Sequence, residues 1–230
     1  MSEKLIIVGT GLSAKQVFDF IKMHNLFDIM GFAIDSAYKK EELYQGLPVF
    51  DLENLKEHID IKTTQIYVAL GWNKLNADRR KLYLRLKEDG YSFANLISPL
   101  AVIRGTLDGD NIWINDYSVL QSDSKIESNV VIRENVLIGN GSIIEPHCFL
   151  GVHSIVGGGA RVGQQTFVGM RGTVFDGRRV GQKCLIGACA VVKRHLPDFC
   201  ACKTASDVMV VKEYGEDEIE TKLVAGKSVK

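Results

Sequence analysis

The chain has 230 residues, 46% of them hydrophobic, which is enough for one or two packed domains. Lys and Arg total 28 and Asp and Glu total 28, so the net charge is zero and the basic footprint of a nucleic-acid-binding protein is missing. No apolar run reaches the roughly 20 residues that cross a bilayer, and Met1-Ser2-Glu3-Lys4 leads into a strand rather than a signal peptide. The five cysteines are an odd number, with Cys200 and Cys202 in a CxC rather than a CxxC spacing. These features predict a reduced, cytoplasmic protein without nucleic-acid or membrane partners.

Leu5-Ile6-Ile7-Val8 is a continuous apolar run, as in a strand buried on both faces. Gly9-Thr10-Gly11 follows, and then Ala14, Val17, Phe18 and Ile21 recur at helical spacing. A second strand is predicted over 29–35, a turn at Gln45-Gly46-Leu47-Pro48, a short strand at Val49-Phe50 and a helix over 52–58. A buried strand is predicted over 66–70, a helix over 77–89 and a last strand over 93–97. Strands alternating with helices predict a small Rossmann-like parallel α/β sheet over residues 1–98.

Gly9-x-Gly11-x-x-Ala14 after a strand, with Asp35 ending the next strand, fits a dinucleotide fingerprint. Glycines there let a diphosphate approach the N-terminus of a helix, where free N–H groups favour anions. Gly9, Gly11, Ser13, Asp35, Ser36 and Asn73 fall at the carboxyl ends of the predicted strands and are the candidate substrate-binding residues. A nucleotide-linked ligand, a nicotinamide cofactor and a purely structural role are all compatible with so short a fingerprint.

From Ile114 to Val192 every sixth residue is Ile, Leu or Val, through fourteen positions without a miss. A six-residue period with an obligatory aliphatic residue is the mark of a parallel β-helix solenoid. From Ser142 onward, small side chains stand two positions before the aliphatic residue, as at Ser142, Cys148, Ser154, Ala160 and Cys184, with Arg178 the exception. Glycine often follows it, as at Gly139, Gly151, Gly163 and Gly181, and the expectation is that these glycines supply a positive φ at each corner. Three hexapeptides then close a triangular coil. The prism is placed at residues 99–206, and residues 207–230 are left as a charged tail, with a possible helix over 213–222.

A small α/β domain joined to such a prism resembles the bacterial sugar acyltransferases that include nucleotide-linked amino-sugar N-acetyltransferases and sialic acid O-acetyltransferases. The resemblance is carried by Leu5-Ile6-Ile7-Val8-Gly9, Met30-Gly31-Phe32-Ala33-Ile34-Asp35, Gly46-Leu47-Pro48-Val49, Val68-Ala69-Leu70-Gly71 and Asn95-Leu96-Ile97-Ser98-Pro99. It implies a left-handed β-helix, a homotrimer, acetyl-CoA as co-substrate in a groove between subunits, and a nucleotide-linked amino sugar as acceptor in surface glycan synthesis. Its diphosphate would lie near Gly9, Gly11 and Ser13 and its base near Asp35.

The family's histidine base sits in an Ile-Glu-His-like segment. Here the segment reads Ile144-Glu145-Pro146-His147-Cys148, so proline holds that place and His147 comes one residue late. His147 and His153 share one phase of the repeat, which is expected to point outward. His147 is left with three roles: a displaced base oriented by Glu145, a contact with CoA or a subunit, or packing. His153 has the same roles. The family's closing Gly-x-Pro-Ala-Lys turn is replaced by Cys202-Lys203-Thr204-Ala205-Ser206, so amides around Gly157, Gly169 and Gly187 become the candidate CoA contacts. Zinc is not expected, because the run from Ile114 to Val192 offers only His147 and His153 where a related zinc enzyme needs three. Sugar O-acetylation and non-catalytic nucleotide-sugar binding are the competing readings.

Overall fold

The computed structural model describes residues 3–204; the charged tail over 207–230, with the helix expected over 213–222, lies outside them. The N-terminal domain runs β1 (Lys4–Val8), α1 (Leu12–His24), β2 (Asp28–Ile34), β3 (Leu43–Tyr44), β4 (Leu47–Asp51), α2 (Leu55–His58), β5 (Thr64–Val68) and α3 (Ala77–Glu88). Its sheet has the order β3-β4-β2-β1-β5. β1 is hydrogen-bonded on both sides, to β2 and β5. Its side chains alternate between two cores. Leu5 and Ile7 pack with Val17 and Ile21 of α1, while Ile6 and Val8 pack with Leu55 of α2 and Tyr83 and Leu86 of α3.

Two expectations for this domain need correction. The sheet is mixed, because β3 pairs antiparallel with β4 around Gln45-Gly46. Both turn residues have positive φ (50° and 77°), the hand that suits a tight hairpin. The strand expected over 93–97 does not belong to this sheet: Phe93 makes only an isolated bridge to Ile66, and Leu96–Ile97 pairs with Trp113–Ile114 as the first rung of the prism. Asn95 drives that handover. Its Oδ1 accepts from the Ile112 amide at 2.9 Å and its Nδ2 donates to the Gly109 carbonyl at 3.0 Å.

From there the chain winds as a left-handed β-helix with three parallel sheets of two- and three-residue strands. Successive rungs are eighteen residues apart, as in Ile126↔Ile144, Ile144↔Val162 and Val162↔Val180. The every-sixth aliphatic residues fill the interior as one continuous core. Small polar side chains beside them serve the next coil. Ser142 Oγ donates to the Gly157 carbonyl (2.6 Å), Cys148 Sγ to Gly163 (3.1 Å) and Thr166 Oγ1 to Gly181 (2.9 Å). A larger side chain there would displace that bond and the coil below it.

The glycines after the aliphatic residues are not the positive-φ positions. Those come two residues later and recur every six: Asn111, Asn129, Gly141, His147, His153, Gly159, Gln165 and Gly177 among them. The intervening glycines are instead required by close approach. A Cβ on Gly139 would stand 2.5 Å from the Gly158 amide, and one on Gly163 2.5 Å from the Gly181 carbonyl carbon.

The three faces of the prism differ. Trp113, Val131 and Phe149, one per coil, cover the first face and share a core with α1 and β1. The second face presents Val102, Val119, Leu137, Ile155, Thr173 and Val191, of which Val102, Ile155 and Val191 are exposed. The third face carries Lys125, Arg161 and Arg179.

Candidate active site

The carboxyl ends of β1, β2 and β5 open into a cavity of about 770 Å³. Gly9 leaves β1 at φ 121°, and a Cβ there would sit 3.4 Å from the Ala69 carbonyl. α1 starts at Leu12 behind Gly11, which brings no capping side chain, and its first turn holds no acidic residue. Its leading N–H groups are therefore open to an anionic ligand. Gly9, Gly11, Asp35 and Asn73 all line this cavity.

Ser13 and Ser36 do not line it. Ser13 faces a smaller hollow of about 10 Å³ shared with Tyr67, Trp72, Trp113 and Arg133 at the domain seam. Ser36 turns away: its amide and Oγ bind the Glu53 carboxylate at 3.1–3.2 Å. Of the cations of this cavity the sequence points to Lys74, in the Gly71-Trp72-Asn73-Lys74 turn, and not to Arg85, Lys39, Lys40 or Lys81. Arg85 pairs with Asp35 at 2.5 Å, and Lys39, Lys40, Lys74 and Lys81 stand around the rim. Asp78, Lys81 and Arg85 follow i, i+3 and i+7 spacing on α3, so one face of that helix is recognisable as a charged stripe, with Lys74 in the turn before it.

On the prism the three candidate catalytic residues do not converge. His147, in left-handed conformation at φ 65°, points out of the prism but lies under α3 and is only 6% exposed. The Tyr83 ring stands 5.6 Å from it and Asn129 Nδ2 is 2.9 Å from its Nδ1. Burial, then the neighbouring Arg80 and Arg79, push its pKa down to about 4. Glu145 does not orient it. That carboxylate binds Arg161 and, at 2.9 Å, the Gln164 amide. His153 occupies the next corner with its ring exposed and its amide bonded to the Glu134 carbonyl at 3.0 Å.

The three candidate glycines do not form one surface either. Gly169 and Gly187 stack on one corner, with Gly157 on another. The amides of all three are engaged between coils, with those of Gly169, Gly187 and Gly157 bonded to the carbonyls of Ile186, Cys202 and Val174 at 2.7, 2.8 and 2.8 Å. Their N–H groups are not free for CoA. Among the described residues no three His, Cys, Asp or Glu side chains gather as a metal site.

The two domains meet through Arg79 of α3, which is fully buried. Its Nη2 donates to three prism carbonyls, those of Asn129 (3.3 Å), His147 (3.1 Å) and Cys148 (3.1 Å). Trp72 adds aromatic contact, 5.1 Å from Phe149 and 6.1 Å from Phe167. The cavity at the strand ends and the prism are thus held in fixed relation.

Residues 4–86 match the family model described as the PglD N-terminal domain. The two-part architecture, a Rossmann-like domain followed by a hexapeptide prism, is shared with solved N-acetyltransferase structures. Perosamine N-acetyltransferase from Caulobacter crescentus, solved with CoA and GDP-perosamine, is 26% identical with a TM-score of 0.75, over 86% of this chain and 92% of that one. The acetyltransferase domain of PglB from Neisseria gonorrhoeae, solved with acetyl coenzyme A, is 19% identical with a TM-score of 0.76, over 87% of this chain and 96% of that one; it speaks for the fold. No curated protein matches the chain in sequence.

Proposed function

We propose that the chain is an acetyl-CoA-dependent N-acetyltransferase acting on the amino group of a nucleotide-linked amino sugar, in surface glycan synthesis. Residues 1–98 bind the sugar nucleotide and 99–206 carry the acyl transfer. The observation that carries this reading is the open N-terminus of α1 in a cation-rimmed cavity, on a PglD-type domain fixed to a hexapeptide prism. The perosamine enzyme of the same two-part build, solved with CoA and a GDP-linked amino sugar, supports it.

In the reaction the amine nitrogen attacks the thioester carbon, the N–C bond forms, the C–S bond breaks and the thiolate leaves. The ammonium proton passes to a base and then to the thiolate. His153 is our proposed acceptor, since its ring is exposed at a corner of the prism while His147 is covered. Imidazole is the side chain that most readily takes and returns a proton near neutral pH, which suits that task.

The proposed assembly is a homotrimer in the cytoplasm. Its support is the row from Val102 to Val191, a flat apolar face left uncovered within one chain. No helix of the described residues is long and apolar enough to cross a membrane. Acetyl-CoA would lie in the groove between prisms, beside the Gly169 and Gly187 corner.

Calorimetric titration with acetyl-CoA and separately with GDP and UDP tests the reading. It predicts one saturable acetyl-CoA site and one nucleotide site per chain. Nucleotide binding without acetyl-CoA binding would replace it with a non-catalytic sugar-nucleotide protein.

A further inference from the structure

Asn111, Asn129 and His147 stack along one corner of the prism, eighteen residues apart, each in left-handed conformation (φ 55°, 57° and 65°). Asn111 and Asn129 are fully buried. At the head of this column stands a main-chain group. The amide of Val68, the last residue of β5, donates to Asn111 Oδ1 at 2.8 Å. A main-chain N–H can only donate, so it fixes which end of the Asn111 amide is oxygen. The Asn111 Nδ2 is then the group that faces Asn129 Oδ1, at 2.8 Å. Asn129 is oriented in turn, and its Nδ2 meets His147 Nδ1 at 2.9 Å.

Every link has one polarity. An Nδ2–H group pointing at Nδ1 requires a lone pair there, so the proton of the neutral ring must sit on Nε2. The surroundings agree. From α3 the ring is faced by Arg79, Arg80 and Tyr83, and neither cation favours an imidazolium. On the prism the nearby carboxylates are engaged: Glu145 binds Arg161, and Asp110 accepts from Tyr83 Oη at 2.6 Å and binds Lys87.

We infer that Asn111 and Asn129 are positioning residues that lock His147 as its Nε2–H tautomer, a hydrogen-bond donor that takes no proton in the reaction. The inference rests on the acyltransferase reading only for its last clause; the tautomer itself does not depend on it. The relay begins at Val68, two residues before Leu70 and three before Gly71 of the cavity, so the strand that shapes that cavity also sets the ring's state.

The test uses the full chain labelled with ¹⁵N-histidine and long-range ¹H–¹⁵N correlation, with the His147→Gln spectrum assigning the signal. The expected pattern is a pyridine-type Nδ1 and a pyrrole-type Nε2 that do not titrate between about pH 5 and pH 8. A proton on Nδ1, or a midpoint near the ordinary histidine value of about 6.5, would overturn the inference. In Asn129→Asp the carboxylate can only accept, and the proton is expected to move to Nδ1; a proton that stays on Nε2 counts against the relay. If that variant fails to fold, Asn111→Leu removes the anchor and is expected to give a mixture of tautomers, whereas an unchanged single tautomer overturns the relay. In turnover, His147→Gln should keep the acid limb of the kcat/KM profile. Loss of that limb would make His147 the base.

Discussion

Arg79, on α3 of the N-terminal domain, donates from Nη2 to the main-chain oxygen of His147 in the prism at 3.1 Å. The same nitrogen reaches the carbonyls of Asn129 and Cys148, so a single guanidinium ties the helix to two coils. Burial holds the Arg79 pKa down to about 10 without discharging it at neutral pH. Replacing it with methionine removes a costly buried charge but strands carbonyls that the guanidinium now satisfies. The second effect should win, and Arg79→Met is expected to lower stability by about 2 kcal/mol. Chemical denaturation measures this, and an unchanged midpoint would show that the seam does not depend on this contact.

His147 makes stability depend on pH. Its folded pKa, about 4, lies below the ordinary value of 6.5, so the unfolded chain binds the proton more readily. The contribution is complete above about pH 6.5 and is lost as pH falls toward 4, reaching about 3 kcal/mol. Thermal denaturation of the wild type against His147→Gln should show a steeper acid decline in the wild type. Parallel curves would mean that the ring charges as easily in the fold as outside it.

Two glycines separate steric from conformational demand. Gly163→Ala drives a Cβ to 2.5 Å from the Gly181 carbonyl carbon, so coils must part; a loss of about 2–3 kcal/mol is expected. At Gly177 φ is 64° but nothing lies within 4 Å, and alanine there should cost only about 1 kcal/mol. Unfolding free energies in the reverse order would refute the account of the corners.

Gly11→Asp should uncouple folding from binding. Gly11 has φ −88° and open space where a Cβ would project, so the side chain fits and can cap α1. Stability should hold or rise by up to about 1 kcal/mol. The same carboxylate would occupy and charge the anion site, so nucleotide diphosphate affinity should fall by more than about tenfold. Retained affinity would place the diphosphate elsewhere.

The six-residue period was legible because one physical requirement, an aliphatic side chain inside the prism, repeats without exception from Ile114 to Val192. The left-handed corners were not, because Asn, Gly, His, Gln, Arg, Lys and Cys all occupy them. Strand ends were legible: Gly9, Gly11, Asp35 and Asn73, each expected where a strand gives way to a turn, line the cavity, since local turn chemistry dictates where a strand stops. The same strand-end reasoning misplaced Ser36, whose amide is claimed by Glu53 from seventeen residues away. The repeat gives the outward phase of His147, yet the burial of that ring depends on α3, brought over it by tertiary packing. A clue was present in Trp113, Val131 and Phe149, bulky apolar residues eighteen apart on an outer face, which mark the side that another domain covers.

The most direct test of the central claim is turnover. Purified chain would be mixed with acetyl-CoA and a set of UDP-, GDP- and dTDP-linked amino sugars, following free thiol and the mass of the sugar nucleotide. The account predicts thiol release that requires one such sugar, matched by its gain of a single acetyl group on nitrogen. Thiol release with none of them, from protein that binds both acetyl-CoA and nucleotide, would contradict it.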